Sequence, residues 1–200
     1  MTDRLPAGAG SAPAAPAPMR RRSFLAVLAA PAFAAGPSEE GARVVAVLVR
    51  HAEKAPAPES EKDPDLSEAG RSRAALLSEI LGGAGVTHLF ATEFRRTRET
   101  LRPLAERAKL AVEGYPAADA QALAARLRAL PAGSVAVVAA HSNTLPRIAA
   151  ALGAALRNVG PNDSLRDDEY GRLVAVFPGA SSPERNEPGR SPVLDLRYGD

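Results

Sequence analysis

Two runs of uninterrupted apolar residues stand out along the chain. Arg43 to Val49 reads RVVAVLV and Ser134 to Ala140 reads SVAVVAA. Apolar runs with no polar alternation suit strands covered on both faces, as in the middle of a parallel sheet. Val86 to Ala91 reads as a second, shorter strand, and Arg172 to Phe177 and Val193 to Arg197 as closing strands. Between them the pattern turns helical. Ser67 to Leu81 is predicted as a helix with Ser67 as its N-cap, Gly70 weakening its first turn and Gly82-Gly83 ending it. Glu93 to Lys109 follows, with Pro103 expected to kink or divide it. Ala118 to Leu130 is a third helix, closed by Pro131, and Leu145 to Leu152 a fourth, ended by Gly153. Strands alternating with helices predict a three-layer α/β/α sandwich with a mostly parallel central sheet. There is no internal repeat. Residues 178–191, rich in Pro, Ser and Gly, are expected to form a surface loop.

The first 34 residues follow another logic. Residues 5–18 are almost entirely Ala, Pro and Gly, a composition that favours disorder. Arg21-Arg22-Ser23-Phe24-Leu25-Ala26 resembles a twin-arginine export signal. A short apolar stretch and the small-x-small pattern Ala32-Phe33-Ala34 come next. The stretch is too short to span a bilayer as an anchor. The expectation is a leader over 1–34, cleaved near Ala34, a linker over 35–42 and one folded domain over 43–200. Met19, directly before the arginines, is the expected start. Such a protein would engage the twin-arginine export machinery and work in the periplasm or outside the cell. The bland alternative is a basic tail preceding an apolar patch.

Composition narrows the function. Hydrophobic residues make up 46% of the chain and charged residues 24%, an ordinary globular balance. The net charge of +2 comes from the leader; without residues 1–34, 21 basic side chains face 22 acidic ones. The folded part therefore has no excess charge for nucleic acid or anionic lipid. Cysteine is absent, which excludes disulfides, a thiol nucleophile and thiolate metal sites.

In open α/β sheets, ligands bind beyond the carboxyl ends of the strands. Arg50-His51 directly follows the first apolar run and His141 directly follows SVAVVAA. The strand ending at Ala91 leads to Thr92 and a helix bearing Arg95, Arg96 and Arg98. His88 lies inside a strand and is expected to be structural, with Arg95 and Arg98 on the surface. The acidic run Asp167-Asp168-Glu169 reads as a solvated loop. Two imidazoles without a thiolate make a poor metal site, and guanidinium groups repel a cation. An anion suits them better, because arginine presents paired donors that match phosphate oxygens. A neutral imidazole attacks phosphorus, so the chemistry open to this set is phosphoryl transfer through a covalent phosphohistidine, with no metal or other cofactor.

Four segments carry a family resemblance. Val49-Arg50-His51-Ala52-Glu53-Lys54 resembles the Arg-His-Gly signature of the histidine phosphatase superfamily, also called phosphoglycerate-mutase-like, with Ala52 in place of the glycine. Asp65-Leu66-Ser67-Glu68-Ala69-Gly70 is similar to its helix start. Thr92-Glu93-Phe94-Arg95-Arg96-Thr97-Arg98-Glu99-Thr100 is similar to its second arginine segment. Val137 to Thr144 is similar to the strand that delivers the second histidine. The resemblance implies that His51 is the nucleophile and that Arg50, Arg96 and His141 bind phosphate; the chemistry of the set by itself suits a protonated second imidazole to that role. It also implies that Thr92 or Asn143 adds a hydrogen bond. Family members protonate the leaving oxygen with a carboxylate. Asp119, 23 residues after Arg96, falls nearest the expected place. Glu53 and Glu113 are rivals, and a site with no dedicated acid is the fourth choice. The expected function is an exported acid-phosphatase-type hydrolase of a small phosphorylated substrate. A phosphate-binding protein without catalysis and a phosphomutase are the alternatives.

Overall fold

The two apolar runs become neighbouring strands, and their parallel register places the two candidate histidines side by side. The computed structural model describes residues 43–179 and 191–199; the expected leader, the linker and most of the 178–191 loop lie outside them. In chain order the elements are β1 Val45–Arg50, α1 Glu68–Leu81, β2 His88–Ala91, α2 Arg95–Ala108, β3 Val112–Gly114, α3 Ala120–Arg128, β4 Val135–Ala140, α4 Thr144–Ala151, β5 Arg172–Val176 and β6 Val193–Arg197. The sheet order is β3-β2-β4-β1-β5-β6. The first four strands run parallel, β5 is antiparallel to β1, and β6 is antiparallel to β5.

Alternation along each central strand supplies two cores. Ala46 and Leu48 face one side with Phe90, Val138, Leu123, Leu127, Leu145 and Ile148, under α3 and α4. Val47 and Val49 face the other with Leu89, Leu77, Leu101 and Leu104, under α1 and α2. The molecule is thus a six-stranded mixed sheet between two helical layers, as the alternation predicted. No helix among the described residues is long and apolar enough to cross a membrane.

Three local details differ from the sequence reading or explain it. First, β3 was not anticipated: three residues at a sheet edge, Val112–Gly114, carry almost no pattern. Second, Pro103 does not divide α2. The helix continues through it, with Leu101 and Leu104 fully buried on either side. Third, Gly70 is a contact rather than merely a weak point. A Cβ there would lie 2.2 Å from the carbonyl oxygen of Glu53, so α1 packs directly on the loop that follows His51. Ser67 caps α1 as expected, its Oγ accepting from Gly70 N at 3.0 Å.

Candidate active site

Arg50 and Ala140 are the last paired residues of β1 and β4, and the ladder runs one bond further, from His51 N to Ala140 O at 2.8 Å. This geometry delivers both histidines to one edge. Their ring centroids lie 5.3 Å apart at 62°. Both are buried, His51 to 5% and His141 to 8% exposure. His51 Nδ1 lies 2.8 Å from Ala52 O, so Nδ1 carries the proton and donates it, leaving the Nε2 lone pair bare. Burial pushes the His51 pKa down to about 3, with His141 and the nearby arginines acting the same way. The ring is therefore neutral, as a nucleophile must be.

Burial favours the neutral form of His141 as well. Burial first and Arg96 second push its pKa down to about 4. Its partners assign the tautomer. Nδ1 accepts from Arg96 Nη2 at 3.4 Å, and Nε2–H donates to Thr92 Oγ1 at 3.1 Å. Thr92 Oγ1 lies 2.9 Å from Thr97 Oγ1, and Thr97 donates to Phe94 O at 2.7 Å, closing a small buried network. Phe94 packs edge-on to the His141 ring at 5.1 Å. Thr92 is fully buried and holds His141; it does not reach the cleft as a phosphate ligand.

The two arginines are held differently. Arg50 Nη1 donates to the carbonyl oxygens of Arg166, Asp167 and Glu169 at 2.8, 3.0 and 3.2 Å, and its guanidinium stacks 4.1 Å above the Tyr170 ring. The acidic run expected to be merely solvated therefore cradles Arg50 with its backbone. Burial lowers the Arg50 pKa, while Tyr170, Asp167 and Glu169 oppose that shift. Arg96 pairs with Asp63 at 3.0 Å and lies 4.3 Å over the Phe94 ring. Nε of Arg50 and Nε of Arg96 are both buried without a hydrogen-bond partner among the described residues. Buried donors left unpaired are costly.

Asp63 escaped the sequence reading because it sits in a polar, Pro-containing loop with no local signal. Its Oδ1 holds Arg96, and its Oδ2 accepts from Arg95 N at 2.6 Å. It thereby caps α2, whose own N-cap residue, Phe94, supplies no side-chain bond. Thr100, the last residue of the second arginine segment, had no role assigned from sequence. Its hydroxyl accepts from Ala52 N at 2.9 Å and donates to Arg96 O at 2.8 Å, tying the nucleophile loop to the helix bearing the second arginine.

A cleft of about 720 Å³ opens on this group. Arg50, His51, Arg96 and His141 line it, with Lys54, Glu93, Ser142, Asn143, Arg147 and Asp167 around them. Asn143 is thus available to a ligand. Asp119 is not placed there. Its Oδ1 caps α3 by accepting from Ala122 N at 2.9 Å, and it lines a neighbouring depression. The rivals are engaged too: Glu53 pairs with Arg73 at 2.8 Å and Glu113 with Arg126 at 2.7 Å. Among the described residues no group of three or more His, Asp or Glu side chains is placed to hold a metal ion. His88 is remote, stacked parallel on Phe90 with Thr87 Oγ1 2.8 Å from its Nδ1.

The family model of the histidine phosphatase superfamily (branch 1) matches residues 46–119, which include His51 and Arg96. Among solved structures, the protein histidine phosphatase SixA complexed with tungstate is similar at 18% identity and a TM-score of 0.56, over 76% of this chain and 96% of that one. A mycobacterial glucosyl-3-phosphoglycerate phosphatase in complex with VO3 aligns at 18% identity and a TM-score of 0.52, over 79% of this chain and all of that one. A structure described as mycobacterial hydrolase 1 gives 18% and 0.56, over 80% and 100%. No curated protein matches the sequence.

Proposed function

We propose that this chain is a phosphomonoester phosphatase of the histidine phosphatase superfamily that works through a phosphohistidine on His51. One observation carries the reading. His51 Nδ1–H is tied to Ala52 O, so Nε2 presents its lone pair in a cleft that also holds Arg50, Arg96 and His141. The family match and two neighbours of the same fold solved with tungstate and VO3 support it.

In the first step the Nε2 lone pair attacks phosphorus, an N–P bond forms, and the ester P–O bond breaks toward the leaving oxygen. In the second, water attacks phosphorus and the N–P bond breaks, releasing phosphate and restoring neutral His51. Arg50 and Arg96 hold the oxygens in both steps, and their unpaired Nε–H groups are donors for that purpose. A cation about 4 Å from an oxyanion contributes on the order of 4 kcal/mol at a near-surface dielectric, before desolvation. The guanidinium groups take the part a divalent ion plays in other phosphoryl-transfer sites, so the reaction needs no metal. The sequence around Arg21-Arg22 supports export and action outside the cytoplasm. Replacing both arginines by Lys and fractionating cells tests that part separately.

Hydrolysis of an aryl phosphate in the presence of chelator tests the main reading. Wild type is expected to turn over, and a quench in alkaline denaturant is expected to trap a phosphoenzyme that survives base and is lost on acid treatment. His51→Ala is expected to lose both, by about a thousandfold or more in rate. A variant that keeps its rate overturns the assignment, and loss of wild-type activity to chelator overturns the metal-free mechanism.

A further inference from the structure

The proposed reaction leaves one part unfilled: a proton for the leaving oxygen. None of the three carboxylates favoured by sequence position lines the cleft: Asp119 caps α3 through one oxygen, Glu53 pairs with Arg73 and Glu113 with Arg126. Two carboxylates line the cleft itself, Glu93 and Asp167.

They are held differently. Glu93 Oε2 accepts from Ala117 N at 3.0 Å. That bond spans from the turn between β2 and α2 to the loop between β3 and α3. On that loop, Ala117 and Ala118 line the cleft with only methyl side chains, just before Asp119 turns away to cap its helix. Glu93 therefore brings a carboxyl to the stretch of wall where the chain order leads one to expect an acid and the loop provides none. Among the described residues no ion pair engages Glu93, and its second oxygen has no partner. Its charge acts on His141, whereas that of Asp167 acts on Arg50. Among the described residues the Asp167 carboxylate has no tether, and its contact to Arg50 runs through the backbone carbonyl.

Building on the phosphatase reading above, we infer that Glu93 is the general acid of this site. As the ester P–O bond breaks, the leaving oxygen keeps the bonding electron pair and takes the proton from the Glu93 carboxyl. When water then attacks the phosphohistidine, the resulting carboxylate takes a proton from that water, and the cycle closes with Glu93 protonated again.

The test compares an alkyl phosphate, whose leaving alkoxide needs a proton, with 4-nitrophenyl phosphate, whose leaving phenolate does not. Glu93→Gln keeps an oxygen to accept from Ala117 N, so the fold is preserved. It is expected to cut kcat/KM for the alkyl ester about a hundredfold or more and to leave the aryl ester within about threefold. The rate on the alkyl ester should also lose its basic limb. Asp167→Asn is expected to change the two esters equally. An equal loss on both esters in Glu93→Gln makes the residue structural and overturns the inference, as does no loss on either. A selective loss in Asp167→Asn moves the role to that residue and overturns it too. If wild type hydrolyses the aryl ester through His51, each of these outcomes bears on Glu93 alone. If wild type hydrolyses neither ester, the phosphatase reading falls, and this inference with it.

Discussion

Arg172 on β5 and Arg50 on β1 are buried, and Arg96 in the first turn of α2 is half-buried, yet their surroundings have opposite characters. Arg172, fully buried on β5, meets Asp195 at 2.6 and 3.0 Å, Glu169 at 3.4 Å and the carbonyl of Arg157 at 2.6 Å. Arg197 joins the same two carboxylates at 2.7 and 3.2 Å, so two cations and two anions cancel. At the cleft, Arg50 makes no ion pair among the described residues and Arg96 makes one, while each keeps an unpartnered Nε. Burial alone therefore does not mark a binding arginine. What marks it is charge and donors that the chain leaves unanswered.

The sharpest way to break this comparison is to remove each kind of arginine. Arg172→Ala leaves two carboxylates, Asp195 and Glu169, to the single half-exposed Arg197 and opens a cavity beside β5, and is expected to cost about 3–5 kcal/mol of stability in urea unfolding, while the fraction that remains folded keeps its activity. Arg96→Ala should do the reverse. A loss of about 10²–10³ in kcat is expected, with stability changed far less, because Asp63 keeps its bond to the α2 N-terminus. Phosphate at about 100 times its Kd should raise wild-type stability by about 2.7 kcal/mol, and this gain should vanish in Arg96→Ala. Comparable stability loss in both variants would erase the distinction.

Acid pH gives a smaller, independent reading. His51 and His141 stay neutral in the folded protein down to about pH 3 and 4, whereas in the unfolded chain they take up protons below about 6.5. The unfolded state then binds more protons, so stability falls as pH drops from about 6.5 toward 4. The slope is at most about 1.4 kcal/mol per pH unit for each histidine. Above that window these groups contribute no pH dependence. His51→Ala should make the acid-side decline in thermal midpoint shallower; an unchanged slope would show that His51 titrates normally. Activity should extend well below pH 6.5, since the nucleophile is already unprotonated there.

Much of the fold was legible because β1 and β4 are buried on both faces and write that into an unbroken apolar run. Helices α1 to α4 carried caps or stops. The positions of His51, Arg50 and His141 followed from where those strands end. What stayed hidden depends on loops. Counting residues from Arg96 led to Asp119, but the distance along a loop does not say which way a side chain turns, and Asp119 turns to its own helix. Asp63 and Glu93 act across gaps of 33 and 24 residues, to Arg96 and Ala117, with no local pattern to reveal it. Ala52 in place of glycine proved compatible with the fold: it is fully buried and its N–H is met by Thr100.

That shared hydroxyl has a mechanical meaning. A single oxygen joins the loop after His51 to the helix of Arg96, so the two sides of the cleft are pinned to each other at that point. Thr100→Val, by leaving Ala52 N–H without an acceptor, should loosen that pin and let the two sides of the cleft shift relative to each other.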